Sequence, residues 1–269
     1  MVGSLLLRGM LVGLVAGLLA FGFARVFGEP EIDRAIAFEE ASKAAPHTHG
    51  EAHAQGNAHT HSQAQASTEA PEQELVSRAT QAGLGLATGV VVYGAAVGGL
   101  FALVFAFAYG RVGRFGPRAT AALLALGAFV AVVLVPSIKY PANPPAIGQA
   151  ETIGSRTVLF FVMILIAVAA LALAVVLARR LSAQFGIWNA TILAGAIFAV
   201  VIAIAQYSLP AINEVPDQFS AALLWRFRIA SLGIHAVLWT TIGLLFGALT
   251  ERAMATQFSP PMAARPLAR

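Results

Sequence analysis

Long apolar runs divide the chain into segments that match the thickness of a lipid bilayer. A helix crosses the hydrocarbon core with about 17 to 25 apolar residues, or more when it is tilted. Six such runs alternate with polar connections, at residues 9–27, 83–109, 119–135, 157–178, 187–209 and 229–250. We therefore predict an all-α polytopic membrane protein with six transmembrane helices.

The first apolar run has a second interpretation, because Arg8 followed by an apolar core is also typical of a signal peptide. However, Gly22, Phe23 and Ala24 form a poor cleavage site, and Arg25 follows them directly. We therefore predict that residues 1–27 form an uncleaved first transmembrane helix.

Glycines recur every four residues in the first two spans and so share one face of each helix. These repeats are Gly9/Gly13/Gly17, Gly85/Gly89 and Gly94/Gly98. Faces of small residues let the backbones of transmembrane helices approach closely. The spacing therefore predicts close packing of these faces against another helix.

Polar segments complete the domain organisation. Residues 28–80 are predicted to form an extracytoplasmic loop that contains a short acidic helix at residues 29–40. Within this loop, residues 44–70 are rich in Ala, His, Gln, Thr and Ser, which predicts a disordered tract because it cannot bury enough apolar surface to fold. Residues 81–250 form the five-helix transmembrane region, and residues 251–269 a cytoplasmic tail.

The overall composition agrees with a membrane protein. Hydrophobic residues make up 58% of the chain and charged residues 11%, whereas a soluble domain has about 25% charged residues. The absence of Cys excludes thiolate metal sites and disulfides. The net charge of +4 comes chiefly from Arg and reflects the asymmetry that orients membrane proteins, so we infer no nucleic-acid partner.

Six spans place all the short basic connections on one side of the membrane. That side has Arg8, Arg111, Arg114, Arg118, Arg179, Arg180, Arg252, Arg265 and Arg269, with the single acid Glu251. The excess of Arg predicts that this side is cytoplasmic and that both termini lie inside. The remaining acids fall outside, either as a vestibule that concentrates cations or simply as charges on solvated loops.

One outer connection, residues 135–156, is rich in proline and also contains Lys139 and Tyr140. Proline lacks an N–H and forces the preceding residue out of the helical region, so a continuous helix is not expected here. The prolines are Pro136, Pro141, Pro144 and Pro145. We expect this stretch to form either a rigid connector or the mouth of a polar pathway.

The three outer connections share one pattern, in which a proline is followed by an acid and then by an Arg near the start of the returning helix. The members are Pro30, Glu31 and Arg78, then Pro141, Glu151 and Arg156, and then Pro210, Glu214 and Arg228. Residues 141–145 and 210–216, the second ending at Pro216, are the most similar pair. The pattern suggests three helical hairpins around a shared outer face, as in transporters built from repeats.

A histidine cluster is the first candidate metal site. Five of the six histidines fall within fifteen residues, as His47, His49, His53, His59 and His61. Neutral imidazole binds Co, Ni, Cu and Zn, which predicts a weak and poorly selective site that raises the local metal concentration. A neutral low-complexity linker is the alternative interpretation.

Oxygen donors are the second candidate. They are Glu151, Glu214, Asp217, Asn143 and Asn213, all in the outer connections. Such ligands suit a partly hydrated divalent cation in transit. Arg156, Arg226 and Arg228 offer an alternative use for the acids, in which they pair as a structural lattice.

His235 is an ionisable residue well inside a predicted span. Such a group is by default a functional candidate, here for the transport path. The alternative is an interhelical hydrogen bond to a neighbouring carbonyl. The sequence contains no phosphate-binding loop, nucleophile elbow or His-Glu-x-x-His motif, so it does not predict an enzyme.

Six strings in and beside the polar connections are distinctive, at residues 30–35, 74–81, 135–145, 151–156, 209–216 and 224–228. They resemble those of CbtA, a family of cobalt transporter subunits, and the likeness covers nearly the whole chain. The most specific are Lys-Tyr-Pro-Ala-Asn-Pro-Pro at residues 139–145 and Asn-Glu-Val-Pro at residues 213–216.

The resemblance implies a multi-pass subunit of a cobalt (or nickel) uptake system in the bacterial inner membrane, linked to cobalamin synthesis. Its cargo would be Co²⁺ or Ni²⁺, without a resident cofactor, and its partner a small single-span subunit that carries histidines. We expect the cation to be captured at the acidic and His-rich outer face and then passed inwards. A non-transporting scaffold or assembly subunit of another permease is the alternative.

Overall fold

The computed structural model describes residues 2–44 and 77–258, and every regular element in these ranges is helical. The helices are α1 (Val2–Phe23), α2 (Glu29–Ala44), α3 (Arg78–Thr80), α4 (Leu86–Ala108), α5 (Pro117–Ala128), α6 (Val135–Lys139), α7 (Ile153–Ser208) and α8 (Ala221–Phe258). Five helical stretches are long and apolar enough to cross a membrane: Val2–Ser42, Arg78–Ala108, Pro117–Lys139, Ile153–Ser208 and Ala221–Thr256. The predicted all-α membrane class agrees with this architecture.

Wide π-helical turns join several of these helices into longer rods. The turn Ala24–Gly28 joins α1 to α2, and Gln81–Gly85 joins α3 to α4. A π-turn inserts a residue into the helix without ending it. The acidic segment after residue 28 is therefore helical, as predicted, and it continues the first helix directly.

Pro136 lies inside a helix, which corrects the expectation that it would exclude one. The π-turn Phe129–Leu134 comes immediately before α6, and Pro136 occupies the first turn of α6. Because the wide turn already interrupts the i to i−4 bonding, the missing N–H of the proline removes little further. The helix therefore runs on to Lys139, beyond the predicted end of the third span at residue 135.

The glycine faces of α1 and α4 pack directly against each other. A Cβ on Gly9 would overlap the carbonyl oxygen of Gly98, and one on Gly13 would overlap that of Gly94. A Cβ on Gly17 would lie 2.8 Å from the Val91 Cα. The close packing predicted for these glycines is confirmed, whereas Gly85 and Gly89 make no contact of this kind.

Helix α7 reverses direction at Gly186, which has φ 75° and ψ 161°. Met163 and Ile202 belong to one buried cluster, although a straight helix would hold them about 58 Å apart. The chain therefore forms two antiparallel arms, residues 153–185 and 187–208. Arg179 and Arg180, predicted to connect two spans, are helical instead, and the break lies six residues beyond Arg180.

Two buried clusters and one small cap position the loops. Helices α1, α4, α5 and α8 surround the first cluster, in which Phe101 and Phe105 both pack edge-on against Phe246. The helical stretch Pro117–Lys139 packs against both arms of α7 in the second cluster. In the cap, Phe38 of α2 stacks edge-on with Phe219 at 5.0 Å beside Ile147, so all three connections at this end of the molecule meet.

Candidate functional site

A cavity of about 640 Å³ opens between the loop after α6 and the loop after α7. We call it the loop cavity. Its walls are largely apolar, with Phe160, Phe161 and Ile164 on one side, and its charged or polar groups include Asn143, Arg156, Asn213, Glu214, Arg228 and His235. A mostly apolar hollow of this size with a few convergent polar groups is typical of a ligand site.

Glu214 is the carboxylate of the loop cavity, and its side chain is only 7% exposed. Its Oε2 forms an ion pair with Arg156 Nη1 at 3.2 Å and accepts a hydrogen bond from the Gln149 backbone N–H at 3.2 Å. Its Oε1 is buried without a hydrogen-bond partner. One oxygen of this carboxylate is thus held by the loop contacts, while the other is buried and unpaired.

The absence of a side chain at Gly148 leaves space for the guanidinium group of Arg156. Its φ of 122° favours glycine, and a Cβ there would lie 2.7 Å from Arg156 Nη2. The guanidinium therefore lies against bare backbone, and its buried Nε has no hydrogen-bond partner. The second loop fixes Arg156 in the cavity wall without satisfying all of its donors.

Arg228 reaches from α8 to the opposite loop. Its Nη2 donates to Asn143 Oδ1 at 3.1 Å, and its Nε donates to the Ala142 carbonyl at 3.4 Å. These partners carry no charge, and among the described residues no carboxylate pairs with Arg228. Arg228, Ser231 and His235 lie at i, i+3 and i+7 on one face of α8, and all three line the loop cavity.

His235 and Tyr93 separate the loop cavity from a second cavity of about 540 Å³. Both side chains line both cavities, and His235 Nδ1 is buried without a hydrogen-bond partner. The second cavity has its own ion pair, in which the partly exposed Arg78 lies 2.6 Å from the buried Glu29. Each of the two cavities beside His235 therefore has one Arg–Glu pair in a largely apolar wall.

Hydrogen bonds tie the end of α6 to the end of α7 beside the loop cavity. Lys139 Nζ donates to the Gln206 carbonyl, and Gln206 Nε2 donates to the Val135 carbonyl at 3.0 Å. Tyr140 is buried and donates to the Pro210 carbonyl at 2.8 Å. Burial raises the pKa of the Tyr140 phenol above its ordinary value of 10.0, so it remains a donor at neutral pH.

The remaining proline positions of the predicted outer motif support the loop backbone. Pro141 lines the loop cavity, and Pro144 is fully buried. Pro145 lies in the turn that follows, and the Pro216 carbonyl accepts from the Phe219 N–H at 2.9 Å. These residues therefore shape the wall rather than contribute side-chain donors.

Two of the predicted oxygen donors lie away from the cavity. Glu151 and Asp217 are exposed and are not among the residues that line it. The histidine cluster at residues 47–61 lies outside the described residues. Within the described ranges, no group of three or more His, Asp or Glu side chains could hold a metal ion.

The structure also brings residues into the site that the sequence did not single out. Tyr93, Ser137, Thr157 and Ser231 line the loop cavity, and Glu29 pairs with Arg78 next to the second cavity. Tyr93, Thr157 and Ser231 lie within the predicted apolar runs and Ser137 lies in the proline-rich connection, and none of them gives a periodic signal. The Arg78 pair had a signal, because the shared loop pattern placed an Arg and an acid at this end of the first connection.

A comparison with protein-family models gives a match over residues 2–251, to the family described as "Probable cobalt transporter subunit (CbtA)". The chain belongs to the CbtA family. This agrees with the resemblance drawn from the loop strings, and it identifies a membrane transporter subunit, a class that is usually not enzymatic. Comparisons with curated proteins and with solved structures gave no match.

Proposed function

We propose that this CbtA-family subunit carries cobalt, or nickel, across the bacterial inner membrane and that the loop cavity is its outer entrance. The observation that carries the proposal is the convergence of Asn143, Asn213, Glu214 and His235 on that one cavity. Residues from two separate loops and from the interior of α8 come together there, within a chain of a cobalt transporter family. His235 then stands between the entrance and the second cavity.

The proposed topology has six spans with both termini in the cytoplasm. The two arms of α7 count as separate spans, since their lengths of 33 and 22 residues correspond to about 50 and 33 Å. Arg179 donates to the carbonyl of Arg111, so the reversal lies at the same end as the basic turn after α4. The excess of Arg at this end supports a cytoplasmic location.

The histidine cluster would collect metal before it enters the loop cavity, together with the acids of the outer face. Imidazole binds Co²⁺ and Ni²⁺ only when it is deprotonated, so this collection would weaken in acid. A small single-span partner that carries histidines would hand over metal in the same way. Glu151 and Asp217, being exposed, would attract the cation rather than hold it.

Cobalt accumulation in cells tests the proposed function. The chain is expressed alone and together with the single-span partner, and uptake is measured at scarce and at abundant cobalt. We expect uptake in at least one of the two expressions, and deletion of residues 44–70 should lower it at scarce metal only. Uptake in neither expression would contradict a transporting role.

A scaffold or assembly subunit of another permease is the second candidate. It is favoured by one observation, which is that no group of three metal-ligating side chains lies within the described ranges. For a scaffold, the chain would raise cobalt uptake only when another complete permease is present. Purified protein in proteoliposomes, reconstituted alone and with the single-span partner, separates the two candidates, because a scaffold would admit no cobalt in either preparation.

A further inference from the structure

The charge of the loop cavity does not suit a bare divalent cation. Two guanidinium groups, those of Arg156 and Arg228, face one carboxylate, that of Glu214. With His235 neutral, the two guanidinium groups and the one carboxylate give the wall a net charge of about +1, which repels a cation. A ligand that fits this wall must bring negative charge of its own.

Arg228 is the residue of the cavity best suited to bind such a negatively charged ligand. Its hydrogen bonds go to a neutral amide and to a neutral carbonyl, so its charge is not neutralised by a carboxylate in the described part of the chain. Arg156 adds a buried Nε–H without a partner. Guanidinium groups bind carboxylates with strong, directional, charge-assisted hydrogen bonds.

The wall of the cavity also has an unpaired carboxylate oxygen and an unpaired imidazole nitrogen, which distinguishes it from a simple anion site. Glu214 Oε1 and His235 Nδ1 are both buried without a partner, and both residues line the cavity. Buried polar atoms of this kind need a hydrogen-bond partner or a metal ion, since burying them without a partner costs free energy. The volume of about 640 Å³ is far larger than a hydrated ion needs and lies in the range of small-molecule sites.

We infer that the loop cavity binds a carboxylate-bearing small molecule and that the metal enters it as a carboxylate chelate rather than as a bare ion. In this arrangement Arg156 and Arg228 bind the carboxylates of the chelator, while Glu214 and His235 supply free lone pairs towards the metal. The metal part of this inference rests on the proposed function, whereas carboxylate binding does not.

The sign of one substitution separates the two kinds of ligand. Replacing Arg228 with Gln (R228Q) removes a positive charge, so it should strengthen the binding of a bare cation and weaken that of a carboxylate. We expect R228Q to weaken binding of citrate and of cobalt citrate by about tenfold or more, the effect of losing one charge-assisted hydrogen bond. Binding is measured by titration calorimetry on the full chain in phosphatidylcholine nanodiscs, with citrate, cobalt citrate and cobalt chloride as probes.

Two further variants keep the test decisive. R226Q removes an exposed Arg of the same helix that does not line the cavity, and it should leave citrate binding unchanged. Ile164→Trp narrows the cavity from its apolar wall without touching a charge, so it should weaken citrate binding even if R228Q disturbs folding.

Several outcomes would overturn the inference. They are equal loss in R226Q and R228Q, citrate binding unchanged in Ile164→Trp, and cobalt chloride binding that depends on the cavity and strengthens in R228Q. Displacement of citrate by phosphatidylglycerol in the nanodisc would identify a lipid headgroup site instead. Failure of the proposed function is recognised separately, since citrate would then bind as predicted while neither free nor chelated cobalt is taken up.

Discussion

Tyr140 shows how single side chains hold the two loops of the cavity together. Its hydroxyl donates to the Pro210 carbonyl at 2.8 Å, 70 residues further along the chain. Because burial raises the pKa of Tyr140, the phenol stays protonated, and its contribution to stability is lost only as the pH rises through that raised pKa. The bond therefore joins the loops throughout the neutral range.

Replacing Tyr140 with Phe should lower the free energy of unfolding by about 1 kcal/mol, because the Pro210 carbonyl loses its donor. Thermal denaturation in detergent measures the change. Tyr207→Phe is the matched control, since the Tyr207 side chain is 92% exposed. This variant should unfold at the same temperature as the wild type. An equal effect of both substitutions would show that the hydrogen bond to Pro210 does not stabilise the loops.

The ion pairs of the loops were only half predictable. The shared pattern placed one Arg and one acid in each connection, and it was equally compatible with a structural lattice of Arg and acid pairs. Arg156 in fact pairs with Glu214 of the next connection, and Arg228 returns to Asn143. Such exchange between loops depends on how the helices pack, and a pattern within each loop does not encode it.

At the scale of elements, the contact between α1 and α4 was the most predictable feature of the fold. Glycine spacing alone identified Gly9, Gly13 and Gly17 as a close-packing face, since a face without side chains lets two helix backbones approach closely. Positions Gly94 and Gly98 complete that interface on α4. The repeat at Gly85 and Gly89 has the same spacing but lines the second cavity instead of packing against a helix, which no local pattern reveals.

Gly13→Ala should separate α1 from α4, because the added Cβ would overlap the backbone of Gly94. We expect a loss of about 1 to 3 kcal/mol in the free energy of unfolding, as for other overpacked cores. Gly89→Ala is the control on α4, since nothing lies within 4 Å of the position that its Cβ would take. If Gly13→Ala unfolded at the wild-type temperature, the proposed backbone contact would be wrong.

Two helix boundaries, at the end of the third span and between the fourth and fifth spans, were predicted at the wrong residues. Both errors have physical causes that helix propensity does not capture. Pro136 is accommodated because a π-turn precedes it, and such turns leave no clear mark in the sequence. The reversal in α7 occurs at Gly186 through a positive φ, whereas a pair of Arg residues was the more conspicuous polar signal. The break in α7 was therefore set by the backbone conformation that Gly186 can adopt, and not by the position of the two Arg residues.

At the scale of the whole molecule, the topology turns on which side of the membrane the α7 reversal faces. The chain has no Cys, so single cysteines can be introduced and labelled without a background. Ala183→Cys should react with an impermeant maleimide only from the cytoplasmic side, and Asp217→Cys only from outside. Both parent side chains are exposed. Labelling of both positions from the same side would exclude the six-span arrangement.

Several residues of the site were predicted from the sequence, but their arrangement around one cavity was not. Asn143, Asn213, Glu214 and His235 were named from residue type and location, and the structure brings them to one cavity. Glu151 and Asp217 have the same chemistry but lie on the surface. Sequence separation and residue type do not tell which loop residues turn inwards, because that depends on the packing of the cap around Phe38 and Phe219.

The central claim, that cobalt passes through the loop cavity, is tested most directly by narrowing that cavity with a bulkier side chain. Cobalt uptake into proteoliposomes is compared between the wild type, Ile164→Trp and Leu165→Trp. Ile164 lines the cavity, whereas Leu165, its neighbour in α7, does not line it and is 69% exposed. We predict that uptake falls at least about tenfold in Ile164→Trp and is unchanged in Leu165→Trp. Wild-type uptake in Ile164→Trp would contradict the account.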